Sequence, residues 1–173
     1  MIALVGLPGS GKSTVGRHLA RRLGIPFNDS DHVIEERLGC SIRDYFAREG
    51  EAAFRDIEQS VIDEHAGRQG VLATGGGAVL RAANRQRLRE SGPVFYLAST
   101  PEEVFRRVRH DDKRPLLQVE DPLGRLKALF DERDPLYRET AHFVLETSRP
   151  SVPALVSMIV MQLDHAGRPE PGP

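Results

Sequence analysis

Short apolar runs alternate along the chain with longer stretches in which apolar residues return every three or four positions. The runs Ile2 to Val5, Pro26 to Asn28, Val71 to Thr74, Val94 to Leu97 and His142 to Glu146 are short, apolar and spaced by helical patterns, and they predict strands. Between the first two, residues 12–23 place Val15, Leu19, Ala20 and Leu23 on one stripe of a helix. Comparable patterns predict helices over residues 31–38, 41–48, 51–66, 81–90, 101–109, 122–137 and 153–165. Proline opens several of these, in the first turn, where its missing N–H costs nothing. Strands separated by helices predict an α/β fold, a three-layer α/β/α sandwich with a five-stranded parallel sheet. No internal repeat interrupts this order, and one domain over residues 1–165 accounts for it. The Gly- and Pro-rich end, residues 166–173, is expected to be a disordered tail.

Composition narrows the classes of partner. The 173 residues include 24 Lys plus Arg and 25 Asp plus Glu, a net charge of −1, so no electrostatic excess favours a nucleic acid or a membrane surface. The lone Cys40 excludes an internal disulfide, and its Gly39-Cys40-Ser41 setting reads as a small semi-buried residue rather than a catalytic thiol. No apolar run approaches the roughly 18 residues of a membrane span, and no basic-plus-apolar leader precedes the first strand, so a cytoplasmic location is expected.

Candidate chemistry begins where the first strand ends. Gly6-Leu7-Pro8-Gly9-Ser10-Gly11-Lys12-Ser13-Thr14 fits G-x-x-x-x-G-K-[ST], a loop whose glycines let successive N–H groups of Gly9, Ser10, Gly11 and Thr14 turn toward phosphates. Lys12 reaches the β- and γ-phosphates, Ser13 offers its hydroxyl to Mg²⁺, and the following helix aims its positive end at the anion. The chain therefore binds a nucleotide.

Other loops must decide what the nucleotide is for. A guanine-reading Asn-Lys-x-Asp is absent, and Asp121-Pro122-Leu123-Gly124, a match to D-x-x-G, follows no strand and reads as a helix start. Val71 to Thr74 ends in glycines rather than in a metal-holding Asp. Asp29 and Asp31 are then the available carboxylates. In an extended turn they share one side, so that one faces Mg²⁺ while the other accepts a hydrogen bond from a hydroxyl to be phosphorylated; alternatively Asp31 caps the helix that follows. Arg55 and Glu58, three apart on a helix, form a fixed guanidinium or else an exposed ion pair. Gly75, Gly76 and Gly77 permit close approach of backbone to a ligand, as any tight turn would. Lys113-Arg114-Pro115-Leu116-Leu117 lies in a polar connection, residues 110–121, long enough for a lid, and Arg133 precedes Asp134-Pro135-Leu136-Tyr137. His110-Asp111-Asp112 is contiguous on that connection and makes a poor metal site.

These motifs, in this order, resemble the shikimate kinases, a family with the nucleoside-monophosphate-kinase-like phosphate-loop fold, a small substrate-binding helical region (about residues 31–66) and a lid loop. The resemblance runs from Ile2 to about Leu163. It implies that ATP and shikimate are the partners and Mg²⁺ the cofactor, and that the protein is a monomer. Asp31 would orient or deprotonate the 3-hydroxyl of shikimate. Arg55 and Arg133 would clamp its carboxylate, and Gly75 to Gly77 would contact a hydroxyl. Lys12 and Arg114 would neutralise the transferring phosphoryl group, Ser13 and Asp29 would hold Mg²⁺, and Arg107 and Arg149 would lie against adenine. Phe46 and Phe54 fit either the wall of a carbocycle pocket or ordinary core packing. The rivals are another small-molecule kinase of this fold, acting on gluconate or a nucleoside monophosphate, and a nucleotide-binding switch without acceptor chemistry.

Overall fold

The computed structural model describes residues 1–111 and 118–167. Arg114 and most of the expected tail lie outside the described residues. The elements follow one another as β1 (Ile2–Val5), α1 (Lys12–Leu23), β2 (Phe27–Asp29), α2 (Ser30–Leu38), α3 (Ile42–Glu49), α4 (Glu51–Ala66), β3 (Val71–Ala73), α5 (Ala82–Ser91), β4 (Val94–Ala98), α6 (Pro101–Val108), α7 (Pro122–Thr140), β5 (Phe143–Glu146) and α8 (Val152–Ala166). A 3₁₀ turn at Ala78–Leu80, which the sequence does not predict, precedes α5.

The sheet is parallel throughout, in the order β2-β3-β1-β4-β5. Its alternating side chains feed two cores. Ala3, Val5, Leu72, Val94 and Tyr96 meet α4, α5, α6 and α7 on one face, while Leu4, Val71, Phe95 and Leu97 meet α1 and α8 on the other. Both faces are covered, which is why these strands read as unbroken apolar runs. Ile34, Phe54 and Val61 form a third, smaller cluster that holds α2, α3 and α4 together as a helical excursion between β2 and β3.

Local signals set most helix ends. Gly24 takes the left-handed conformation (φ 66°) after α1, Thr100 and Glu103 make a capping box at α6, and Asp121 accepts from Gly124 N at 3.0 Å. The D-x-x-G match is thus a helix cap. Helix α7 continues to Thr140, three residues beyond the expected end, with Pro135 inside it. Helix α8 reaches Ala166, so the domain ends one residue later than expected.

The cap of α2 also differs. Asp29, not Asp31, occupies the N-cap, and its carboxylate accepts from the backbone N–H groups of Asp31 (3.0 Å) and His32 (3.3 Å). Asp29 therefore closes a strand while Asp31 sits in the first helical turn, instead of the two sharing an extended turn.

Helix α7 is tied to β4 by one part-buried hydrogen bond and by ring packing. The Tyr96 hydroxyl donates to Asp134 Oδ1 at 2.7 Å, Arg138 Nε lies 3.1 Å from Asp134 Oδ2, and the rings of Tyr96 and Tyr137 pack with centroids 5.0 Å apart. A Tyr96→Phe substitution keeps the ring packing and removes one charge-assisted hydrogen bond. It should lower stability by ~1.5 to 3 kcal/mol, read as a fall in the urea midpoint at unchanged slope. An unchanged midpoint would mean that the contact with Asp134 does not hold α7.

Candidate active site

The phosphate loop closes on its own lysine. Lys12 Nζ donates to the carbonyls of Gly6 (2.7 Å) and Leu7 (2.9 Å), across the loop it belongs to. Gly9 (φ 80°) and Gly11 (φ 94°) take left-handed conformations that disfavour other residues, and a Cβ on Gly6 would stand 2.8 Å from the Leu97 carbonyl. Gly11 is the N-cap of α1 and offers no capping side chain, so the first N–H groups of the helix remain donors for an anion. A cavity of about 770 Å³ opens here, lined by Gly11, Lys12, Ser13, Asp29, Asp31 and Gly75 among others.

Ser13 Oγ donates to Asp29 Oδ2 by a short bond, so the phosphate loop and the β2–α2 corner are joined. The same carboxylate serves as helix cap and as acceptor for Ser13. A hydroxyl and a carboxylate together are the hard oxygen donors that suit Mg²⁺. No cluster of three or more His, Cys, Asp or Glu forms a metal site among the described residues, of which Asp112 is not one.

Beyond Asp29, charged side chains converge on the three glycines. Gly75 N donates to the buried Ser30 Oγ at 3.0 Å. A Cβ on Gly75 would lie 2.5 Å from Asp31 Oδ1 and 3.2 Å from Glu58 Oε2. On Gly76 it would lie 2.7 Å from the Pro8 ring and 3.3 Å from Arg133 Nη1, and on Gly77 it would overlap the Arg55 guanidinium, 2.6 Å from Nη1. None of the three has positive φ. These glycines are required for room, not for an unusual backbone.

Arg55 and Glu58 form the fixed pair, with Nη1 to Oε1 at 2.8 Å and Glu58 only 1% exposed. The Arg55 guanidinium also lies over the Phe54 ring, 5.0 Å from its centroid. Arg133 reaches the same place from α7, next to Tyr137, whose hydroxyl donates to the Gly76 carbonyl at 2.6 Å. Arg55 Nε, Arg133 Nε and Glu58 Oε2 are buried without a hydrogen-bond partner among the described residues. Two guanidinium groups against neighbouring glycines, with Arg55 Nε also 3.5 Å from Glu51 Oε1, suit a planar anion.

The electrostatics are unfavourable for acids. Burial pushes the Asp31 carboxyl from 3.8 to about 6, with Asp29 and Glu58 adding to the rise and Lys12 opposing it. Burial raises Glu58 too, against the pull of Arg55 and Arg133. Burial likewise pushes the Tyr137 phenol up. Buried carboxyl groups near one another, shifted toward neutral pH, are a common mark of a reactive site.

Gly9, Gly11 to Thr14, Asp29, Asp31, Gly75 and Gly76 therefore line one cavity, Arg133 and Arg55 lie against Gly76 and Gly77 beside it, and Ser10 is buried rather than part of the lining. Arg107 does not line this cavity. Its guanidinium donates to Ser10 O, Ser99 Oγ and Thr147 O, although the residue as a whole is exposed. Arg149 is exposed in the loop after β5 and joins none of these contacts. Phe54 is buried in the third cluster, and Phe46, 37% exposed, packs its ring 5.8 Å from it, so core packing accounts for Phe54. Ser30 and the Tyr137 hydroxyl were not singled out from the sequence. Their partners lie 45 and 61 residues away, and no local spacing announces them.

Known proteins carry the same pattern. The profile of the shikimate kinase family matches residues 8–164. A shikimate kinase of Paracidovorax citrulli is 64% identical over 176 aligned positions, covering 99% of this chain and 96% of that protein. Among solved structures, the shikimate kinase from Acinetobacter baumannii in complex with shikimate superposes with a TM-score of 0.91 at 46% identity, covering 97% of this chain and 94% of that one. A gluconokinase from Sinorhizobium meliloti, 16% identical with a TM-score of 0.55 and covering 96% and 97% of the two chains, shares the fold alone. With a profile match over nearly its whole length and relatives above half identity, the chain belongs to the shikimate kinase family.

Proposed function

We propose that the protein transfers the γ-phosphoryl group of ATP to the 3-hydroxyl of shikimate, giving ADP and shikimate 3-phosphate. The observation that carries this reading is the position of Asp31, between the phosphate loop on one side and the Arg55 and Arg133 pair on the other. A substrate spanning that gap needs a carboxylate at one end and a hydroxyl at the other.

Little covalent chemistry is asked of the side chains in such a transfer, so rate comes from placement and charge. The loop N–H groups and the end of α1 hold the phosphates, and Lys12 exchanges its loop carbonyls for phosphate oxygens. Ser13 and Asp29 would hold Mg²⁺, which neutralises charge on the β- and γ-phosphates when bound. Arg55, fixed by Glu58, and Arg133, beside Tyr137, grip the carboxylate in forked geometry. Backbone N–H groups of Gly76 and Gly77 contact the substrate at close range, that of Gly75 being taken by Ser30. Asp31 accepts the hydrogen bond of the attacking hydroxyl and orients its lone pair at the phosphorus. Arg114 would add a cation to the transferring group, and the exposed faces of Arg107 and Arg149 are the groups offered to adenine.

ADP release with MgATP, followed in parallel with shikimate, gluconate, AMP and no acceptor, tests the reaction. Turnover is expected with shikimate alone; turnover with gluconate or AMP instead would overturn the carboxylate-clamp reading. Nucleotide binding with no turnover would make the protein a switch.

Two variants test the roles. Arg133→Ala removes half of the carboxylate clamp, a charge-assisted contact of ~1.5 to 3 kcal/mol, and should raise the KM for shikimate about 10- to 100-fold with the KM for ATP little changed. An unaltered shikimate KM would remove Arg133 from the site. Asp31 must be ionised to accept the hydroxyl proton, so kcat/KM for shikimate should fall as pH drops through about 6, and Asp31→Asn should abolish turnover while ATP still binds. Stability should move the other way. The raised pKa means that the folded protein binds this proton more tightly than the unfolded chain, a contribution that is present below the unfolded value of 3.8 and lost as pH rises through about 6. Asp31→Asn should therefore stabilise the ligand-free protein at about pH 8 and gain much less at about pH 4. Equal urea midpoints for variant and parent at both pH values would show that Asp31 is not held in a desolvated site.

A further inference from the structure

Arg107 is placed against the nucleotide base by the resemblance, yet its strongest contacts are with protein backbone. From the last turn of α6, Nη1 donates to the Ser10 carbonyl (3.3 Å) and to Ser99 Oγ (3.2 Å), and Nη2 donates to the Thr147 carbonyl (2.8 Å) and to Thr147 Oγ1 (3.3 Å). The anchors are rigid. Ser99 and Thr147 are 3% and 4% exposed, their hydroxyls bond each other closely, and Thr147 is tied to the Ala98 carbonyl through N and Oγ1, both at 3.1 Å. One guanidinium thus joins the carboxyl ends of β4 and β5 to the middle of the phosphate loop.

We propose that Arg107 is a positioning residue for the phosphate loop, holding the Ser10 carbonyl outward so that the Gly11 N–H points at the phosphates. In a trans peptide the carbonyl of one residue and the N–H of the next point in opposite directions. Fixing the Ser10 carbonyl on Arg107 therefore fixes the direction of the Gly11 N–H, which makes no backbone hydrogen bond among the described residues. The other end of Ser10 is held as well, its N–H donating to Leu7 O at 3.1 Å. Gly11 has φ 94° and precedes the first turn of α1, so its N–H is the hinge between loop and helix. These bonds are made by Nη1 and Nη2 while the residue as a whole remains exposed, so holding the loop and contacting a base are compatible and separable.

This inference rests on the loop being a nucleotide site, as the proposed function has it, but not on the identity of the acceptor. Tripolyphosphate, which has phosphates and no base, isolates the loop. Calorimetric titration of tripolyphosphate, ATP and shikimate into the parent, Arg107→Ala and Arg107→Lys is the test. Expected is a loss of tripolyphosphate affinity of about tenfold in both variants, with shikimate affinity unchanged. Lysine keeps the charge but has no planar fork to span Ser10, Ser99 and Thr147, so it should not restore binding. Tripolyphosphate binding equal to the parent's in Arg107→Ala, with ATP binding weakened, would assign Arg107 to the base alone. Restoration by lysine would reduce its contribution to charge and overturn the positioning role. If Arg107→Ala does not fold, Arg107→Lys decides by the same comparison. A parent protein that binds tripolyphosphate but not shikimate would overturn the acceptor reading and leave the Arg107 arms intact.

Discussion

Ionising Asp31 beside Asp29 and Glu58 is unfavourable, and the arrangement of the site follows from what makes it tolerable. Like charges a few ångströms apart in a partly dry setting repel by several kcal/mol at an effective dielectric of about 20. The Asp31 carboxyl answers by moving up to about 6, and Glu58 by rising above its ordinary range. Cations from three separate helices limit the rise: Lys12 from α1, Arg55 from α4 and Arg133 from α7. Each is tethered by the protein before any ligand arrives, Lys12 to loop carbonyls, Arg55 to Glu58, Arg133 beside Tyr137. A ligand bringing an anion to the arginines and a hydroxyl to Asp31 relieves both sets of groups at once.

Crowding of that kind needs a wall without side chains. The three glycines supply it, since a Cβ at Gly75, Gly76 or Gly77 would collide with Asp31, Pro8 or Arg55. The wall is pinned from behind. Ser30 holds Gly75 and Tyr137 holds Gly76, while Tyr137 rests on Tyr96, which in turn holds Asp134. The turn of α7 that carries Arg133 is thereby coupled to the loop it faces, so clamp and wall share one support. An error in α7 would displace both the carboxylate end and the backbone donors, and misplacement of about 1 Å is costly in catalysis.

The sequence announces what is local and conceals what is long-range. The phosphate loop, the parallel order of strands and nearly every helix were legible because periodicity and capping act over a few residues. Asp29 and Asp31 were legible as a pair but not in their division of labour. Either can cap a helix starting near His32, and only the exact end of β2 decides. Pro135 shows the reverse problem: a proline disturbs the turn before it, so nothing at Tyr137 marks a stop and α7 runs on to Thr140. The glycines read as places where backbone nears a ligand, and what the structure sets against them, Arg55 and Asp31, belongs to other elements. Ser30 and Tyr137 act over 45 and 61 residues, a range at which one sequence carries no signal.

The two halves of the cavity are built on different physics, and this bears on what can vary. The nucleotide half is mostly backbone: loop N–H groups, a helix end, and carbonyls held by Lys12 and Arg107. Its shape depends on glycine conformations and on being held at the carboxyl ends of β1, β4 and β5, through the side chains of Lys12 and Arg107. The acceptor half is mostly side chains: two guanidiniums, two acids and a tyrosine, converging from α2, α4 and α7. In the proposed function, exchanging those side chains would change the acceptor and leave the phosphates where they are. Selectivity would then reside in the helical excursion and α7, and phosphate handling at the carboxyl ends of the strands, with the Ser13–Asp29 bond as a direct link between them. Because Asp29 also caps α2, one carboxylate contacts both the phosphate loop at Ser13 and the turn that carries Asp31, so the two halves of the proposed site share a single support.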